Sequence, residues 1–401
     1  MNVTGKQAKD TKIKLPNGWR VVRLGEVCEI IAGQSPPGTT YRTNPEGLPF
    51  FQGKVDFGKI HPVARVWCVE PTKIAKPGDI LISVRAPVGP TNIADVECCI
   101  GRGLAAIRCG MKSNPDFILN ALRHFEATLV NKGSGSTFQA INRDDLESFE
   151  IPLPTLSEQQ RIAGVLREQM AAVEKARTAA QARLDAIKAL PAAFLRKVFP
   201  QPGQPLPVGW RWVKLGEIIE IVSGQIDPKE SHYRDLPHVN GENIESGTGR
   251  LLTIRSAAED RMTSGKYFFE AGVVLYSKLR PYLKKAAIAD FRGLCSADMY
   301  PILPKHNELT LSFLLQILLS EPFTTYAESE SQRARMPKIN RGQLLAYPAP
   351  LPPLPVQQQI AGALKEKMAA VEKARTAAEQ ELATINSLPA ALLLRALAGG
   401  L

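Results

Sequence analysis

This chain says much of its sequence twice, and that duplication constrains the fold more than any single motif does. The stretch Pro16-Asn17-Gly18-Trp19-Arg20-Val21-Val22-Arg23-Leu24-Gly25-Glu26 returns as Pro207-Val208-Gly209-Trp210-Arg211-Trp212-Val213-Lys214-Leu215-Gly216-Glu217. The run from Met170 to Ala180 returns letter for letter as Met368 to Ala378. Two similar modules in one polypeptide predict a pseudo-two-fold pair. Such a pair suits a target that is itself in two parts. DNA is the natural candidate, because two-fold binding proteins mirror their operators.

The repeats divide the chain. Residues 1–15 read as a flexible arm and 16–155 as the first module, followed by a first spacer helix over 156–199. Residues 200–206 form a Pro/Gly-rich linker, 207–352 the second module and 353–396 the second spacer helix. Inside the first module, β-type runs such as Ile80-Leu81-Ile82-Ser83-Val84-Arg85 alternate with Gly/Pro turns, and a helical pattern covers Asp116 to Leu129. Both modules close alike, with Ile141-Asn142-Arg143 and Ile151-Pro152-Leu153-Pro154 against Ile339-Asn340-Arg341 and Ala349-Pro350-Leu351-Pro352. Between these ends they diverge, so the frame is shared and the middles differ.

The spacer segments carry a heptad. Leu166, Val173, Ala180 and Ile187 recur every seven residues, matched by Leu364, Val371, Ala378 and Ile385. Ser157-Glu158-Gln159-Gln160 reads as a capping box and Pro191 as a stop. A helix from Ser157 to Leu190 would span roughly 50 Å. The expected fold class is α+β: two similar mixed α/β domains joined by two long antiparallel helices forming a coiled coil. The alternative is that each helix stays with its own module or mediates a homodimer.

Composition excludes several classes. The net charge of +11 is spread along the chain with no basic tail, which fits a globular protein with basic grooves. The six cysteines (Cys28, Cys68, Cys98, Cys99, Cys109 and Cys295) form no CxxC pair and read as buried apolar residues in a reducing cytosol. Met1 to Lys14 lacks an apolar signal core, and no apolar run approaches ~20 residues, so a cytoplasmic location without a membrane span is expected. There is no GxxxxGK[ST] phosphate loop, no GxGxxG after a strand and no Asp/Asn-Pro-Pro-aromatic motif. The five histidines show no metal-ligand spacing.

In order and duplication, these motifs resemble the specificity subunits of type I restriction–modification systems. The matching residues in the first copy are Gly18, Trp19, Leu24, Gly25, Glu26, Ile141, Asn142, Pro152, Pro154, Gln159, Gln160, Ile162 and Ala163. In the second they are Gly209, Trp210, Leu215, Gly216, Glu217, Ile339, Asn340, Pro350, Pro352, Gln358, Gln359, Ile360 and Ala361. The resemblance implies two target-recognition domains, each reading half of a split double-stranded DNA sequence, with the helices as spacer. It implies two methyltransferase subunits docked on the helical region, using S-adenosylmethionine. In complexes that cut, it implies restriction subunits that use ATP and Mg. The chain itself would bind no cofactor or metal and perform no catalysis. A spacer of about 50 Å corresponds to roughly 15 base pairs. A stand-alone bipartite DNA binder and a coiled-coil protein adaptor are the rival readings.

Residue chemistry selects candidate DNA contacts, since Arg pairs with guanine and Gln or Asn with adenine. In the first module these are Gln34, Gln52, Lys54, Arg85, Arg102, Ser134, Ser136, Thr137 and Gln139. In the second they are Gln225, Asn240, Glu242, Asn243, Lys278, Arg280, Lys284, Arg333, Arg335 and Lys338, although the Lys284-Lys285 pair also reads as plain surface. Trp19 and Trp210, inside the shared frame, read as packing anchors.

Overall fold

The computed structural model describes residues 16–132, 140–331 and 336–401. The chain divides into two compact units. One comprises residues up to Ala179 together with Leu382–Leu401, the other Ala180–Glu381.

In the first unit the two shared ends meet as a clasp. Arg20–Arg23 pairs antiparallel with Glu150–Leu153, placing Val22 opposite Ile151 in the core. The turn entering the clasp is Pro16-Asn17-Gly18-Trp19, closed by the Trp19 amide donating to the Pro16 carbonyl at 3.1 Å. Gly18 has φ +83°, the left-handed value that position requires. Trp19 then packs edge-on against Phe117, ring centroids 6.1 Å apart, which makes it an anchor of the core.

Two sheets follow. The four-stranded sheet runs Cys28–Ala32, Leu104–Cys109, Ile80–Ser83, Thr91–Ile93, all antiparallel. The strand Ile80–Ser83 is buried on both faces, as its unbroken apolar run requires. Ile80 and Ile82 face the helix Pro115–His124, while Leu81 packs with Phe51, Cys98 and Ile100 of the second sheet. That sheet has five short strands around a parallel pair, Leu48–Phe51 and Cys98–Ile100.

The second unit repeats this plan. Arg211–Lys214 clasps Pro348–Leu351, and Gly209 has φ +84°. The four-stranded sheet keeps the same order: Ile219–Ile221, Met299–Pro304, Val273–Ser277, Ala286–Ala289. The five-stranded sheet again centres on a parallel pair, Pro237–Val239 with Gly293–Cys295, but its edges differ.

Two residues of the repeated text explain why it repeats. Gly25 lies in a short helix, Leu24–Val27, where an added Cβ would sit 3.0 Å from the Glu147 Cβ; the same atom on Gly216 would sit 3.0 Å from the Leu345 Cβ. Glycine lets this helix approach its neighbour without forcing it to shift. That neighbour opens on the Ile-Asn-Arg motif. Asn142 caps Arg143–Glu147 by accepting from the Asp145 amide at 2.9 Å, and Asn340 caps Arg341–Ala346 through Gln343 at the same distance.

The long helices run Leu156–Val198 and Leu354–Leu397. The first begins one residue before Ser157, so Ser157 lies inside the opening turn and is not the cap expected of it. Pro191 does not stop the helix either. It lies within it, as Pro389 lies within the second. A proline there forfeits a backbone hydrogen bond and costs about 3 kcal/mol. The residues beyond it offset that cost: Leu195 and Phe199 enter the core of the second unit, and Leu393, Ala396 and Leu397 that of the first. Burying each large apolar side chain is worth about 1.5–3 kcal/mol.

Each unit therefore contains the start of one helix and the end of the other. Leu166 shares a core with Leu393 and Leu397, and Leu364 with Leu195 and Phe199. The helices pair antiparallel within one chain. Leu166, Ala180, Ile187, Leu364, Val371 and Ala378 are buried as the heptad requires, whereas Val173 and Ile385 are half-buried. Among the described residues no helix is long and apolar enough to cross a membrane.

Candidate nucleic-acid interface

In the first unit, three turns are clamped together by close backbone approach. A Cβ on Gly33 would meet the Gly101 carbonyl oxygen at 2.2 Å, and one on Gly103 would meet that of Gln52 at 2.2 Å. These glycines bring Gln34, Gln52 and Arg102 onto adjoining turns with all three side chains exposed. The Gln52 turn is fixed by Asp56, whose carboxylate accepts from the Gln52 amide at 2.7 Å, and it displays Lys54 beside it. The Arg102 amide donates to the Ser35 hydroxyl at 3.3 Å.

Beside these turns lies a cleft of about 390 Å³ whose rim carries Arg85, Arg102 and Arg143. Arg85 extends from the central strand Ile80–Ser83 and bridges to Ala140, while the preceding Val84 carbonyl accepts from the Ile141 amide at 3.0 Å. A strand end, a turn and a helix start thus bring three exposed guanidiniums to one cleft. Arg143 is paired to Glu147 at 2.6 Å. Fixed, exposed guanidiniums suit bidentate contact with guanine edges or phosphates.

The equivalent turn in the second unit has the same backbone bonds and different side chains. The Lys278 carbonyl accepts from the Ile339 amide at 3.1 Å, so Lys278 occupies the place of Val84, and the bridge Leu279–Lys338 replaces Arg85–Ala140. Lys338 is exposed, 3.5 Å from Asp298. Lys278 is not presented to solvent as a contact residue. It is buried, donating to the Ala297 carbonyl with its ammonium 5.0 Å from the Tyr300 ring. Burial, and then the charge of Lys338, push its pKa below the usual lysine value.

The other candidates in this unit differ in how far they are free to meet a ligand. Gln225, Glu242 and Arg280 are exposed, and Arg280 sits in the left-handed region at φ +49°. Asn240 and Asn243 are engaged internally: the Asn240 carboxamide accepts from the Glu242 amide at 2.7 Å, and Asn243 accepts from the Asn240 amide at 2.9 Å and donates to the Thr253 carbonyl at 2.7 Å. Lys284 pairs with Glu321, and Lys285 donates to the Gly241 carbonyl. Ser134, Ser136, Thr137, Gln139, Arg333 and Arg335 lie outside the described residues.

Sequence reasoning singled out Gln159 as a motif residue but missed its role, which is to join the module to its long helix, and missed Gln357 altogether. Gln159 is fully buried; its Oε1 accepts from the Asn114 amide at 2.8 Å, and its Nε2 donates to the carbonyls of Pro154 and Lys112 at 3.0 and 3.2 Å. Gln357 does the same for Thr310, Pro352 and Glu308, at 2.9, 2.9 and 2.7 Å. The repeat of Gln159 and Gln160 is therefore Gln357 and Gln358. The pairing with Gln358 and Gln359 is off by one: three successive glutamines blur the register, which the 198-residue offset of Ile162 to Ile360 fixes and burial of Gln159 and Gln357 bears out.

Against this geometry, the sequence matches a known family twice. The type I restriction modification DNA specificity domain matches residues 16–180 and again 207–380. The chain belongs to that family. The EcoDI type I restriction enzyme specificity subunit of Escherichia coli is 28% identical over 421 residues, covering 97% of this chain and 90% of that one. The MjaVIII specificity subunit of Methanocaldococcus jannaschii is 22% identical over 390 residues, covering 92% and 90%. Among solved structures, the HsdS subunit from Thermoanaerobacter tengcongensis superposes with a TM-score of 0.62 at 25% identity, over 98% of this chain and all of that one. A chain from a structural study of assembly and conformational transition of the type I system shares the fold, with a TM-score of 0.78 at 24% identity, over 97% of this chain and 100% of that one. As a type I specificity subunit, this chain recognises the DNA target for its restriction–modification system, with two recognition domains and two long helices.

Proposed function

We propose that this specificity subunit reads each half of a split DNA sequence with one module, and that the chemistry resides entirely in partner subunits. One observation carries the reading. Over an identical set of backbone bonds, the rim of the first module bears Arg85 where the second bears Leu279, and Ala140 where the second bears Lys338. A constant frame with interchangeable rim residues is what two readers of different sequences require. Two methyltransferase subunits, supplying S-adenosylmethionine, dock on the helical region. Restriction subunits that use ATP and Mg join when the complex cuts. The work is done in the cytoplasm, on genomic DNA.

Methylation-resolved sequencing of DNA from cells expressing the chain with its neighbouring methyltransferase tests this directly. A split adenine-methylated motif that needs this chain is the expected result. No new motif, from a complex shown to assemble, would overturn it. Replacing residues 207–352 by another such module should change one half of the motif and leave the other intact.

A further inference from the structure

We propose that Glu174 and Arg177, with their repeats Glu372 and Arg375, form an electrostatic latch that fixes the angle of each recognition module on the helices and so enforces the gap between half-sites. The proposal rests on the split-target reading above.

The starting observation is the run repeated without change, Met170–Ala180 and Met368–Ala378. Heptad packing accounts for its Val and Ala positions but not for the Glu and Arg kept in place. In each unit the run borders a groove between helix and module. The first is about 760 Å³, with Lys59 and Ile60 on the module side facing Val173, Glu174 and Arg177. The second is about 410 Å³, with Glu245 and Arg250 facing Val371, Glu372 and Arg375. Side chains that interdigitate fix an orientation by packing. An open groove removes that constraint, and the bonds across it take over.

Those bonds join the same helix residues to unrelated module residues. In the first unit Lys59 Nζ lies 2.5 Å from Glu174, which also holds Arg177 at 2.8 Å. In the second, Arg250 is 2.9 Å from Glu245 and 3.4 Å from Glu372, while Arg375 is 2.6 Å from Glu372 and 3.6 Å from Glu245. One invariant socket thus accepts two different plugs. The second is the stronger, since Arg375 and Glu245 are 21% and 22% exposed against 71% for Lys59.

The test uses the full chain with its methyltransferase and a plasmid library in which the gap between the half-sites is one or two base pairs too short or too long. Lys59→Glu and Glu174→Lys should each raise methylation at wrong gaps, relative to the right gap, by about two- to fivefold, the scale of one exposed ion pair. Half-sites should be unchanged, and the double charge swap should return the ratio towards wild type. Arg250→Glu should raise it by roughly tenfold, because it breaks a network. An unchanged ratio in variants that melt like wild type would overturn the latch, as would altered half-sites or a change that the swap does not reverse. If a single reversal abolishes methylation, restoration by the swap supports the latch and its failure refutes it. A wild-type chain that yields no split motif would instead defeat the underlying DNA-reading proposal.

Discussion

The two modules are the same where the backbone must be satisfied and different where side chains meet the outside. Both close with a two-strand clasp, seat a Leu-Gly-Glu helix on an Asn-capped one and bury one glutamine at the foot of the long helix. At the rim the correspondence ends, with Arg85 and Arg102 in one and Lys338 in the other. A buried amide or carbonyl has few ways to find a partner, so those positions admit few residues. An exposed rim has no such demand and is free to follow its target.

The comparison breaks first at the glutamines. Gln159→Leu and Gln357→Leu should each cost about 3 kcal/mol, since each strands buried backbone groups. Denaturant titration would check this, and clearly unequal losses would show that the two joints are not equivalent. Next come the glycines: Gly25→Ala and Gly216→Ala should each cost about 2 kcal/mol from the 3.0 Å contact, read as a shift in melting temperature. Below these, Arg85→Ala and Lys338→Ala should each weaken binding of the assembled complex by about 1.5 kcal/mol, each at one half-site only. Competition with DNA altered in one half would show it, and an effect on both halves would break the division of labour. Asn142→Ala and Asn340→Ala should each lose about 1 kcal/mol of stability, equally in the two copies.

The smallest effect is the pH dependence of the second latch. Glu245 is held below the ordinary carboxylate value of 4.5 by its bond to Arg250, and Glu372 by its bond to Arg375. A depressed pKa means stability that is present above 4.5 and lost as pH falls through the folded-state value. Wild type and Arg250→Ala should therefore differ by a few tenths of a kcal/mol at neutral pH, with solvent screening allowed for, and the difference should vanish as acid protonates Glu245 and Glu372. Denaturant midpoints across an acid titration would measure it.

The duplicated frame was legible because its signals are local and occur twice. Heptads, turn glycines and shared ends each obey a spacing rule. What was not legible depended on contacts distant in sequence. Pro191 reads as a stop until Leu195 and Phe199 are seen to be buried beyond it. Lys278 reads as a DNA contact from its type alone, but it lies at the place of Val84, beneath Tyr300. Asn243 carries adenine-reading chemistry and spends it on a turn. Gln159 stands out in sequence as a motif residue, but nothing nearby announces its burial or its three partners.

The crossing of helix ends has a consequence for how this chain is made. The core of the first unit includes Leu393, Ala396 and Leu397, together with Val22 and Leu24 from its opening strand and helix. A ribosome that has finished the first module has therefore not yet made all of its core. That module waits, its helix-side apolar surface partly uncovered, while about 240 further residues are synthesised at about 5–20 per second. Closing so long a loop is slow even when its entropic cost is modest. Completion of the first core is thus tied to synthesis of the second long helix.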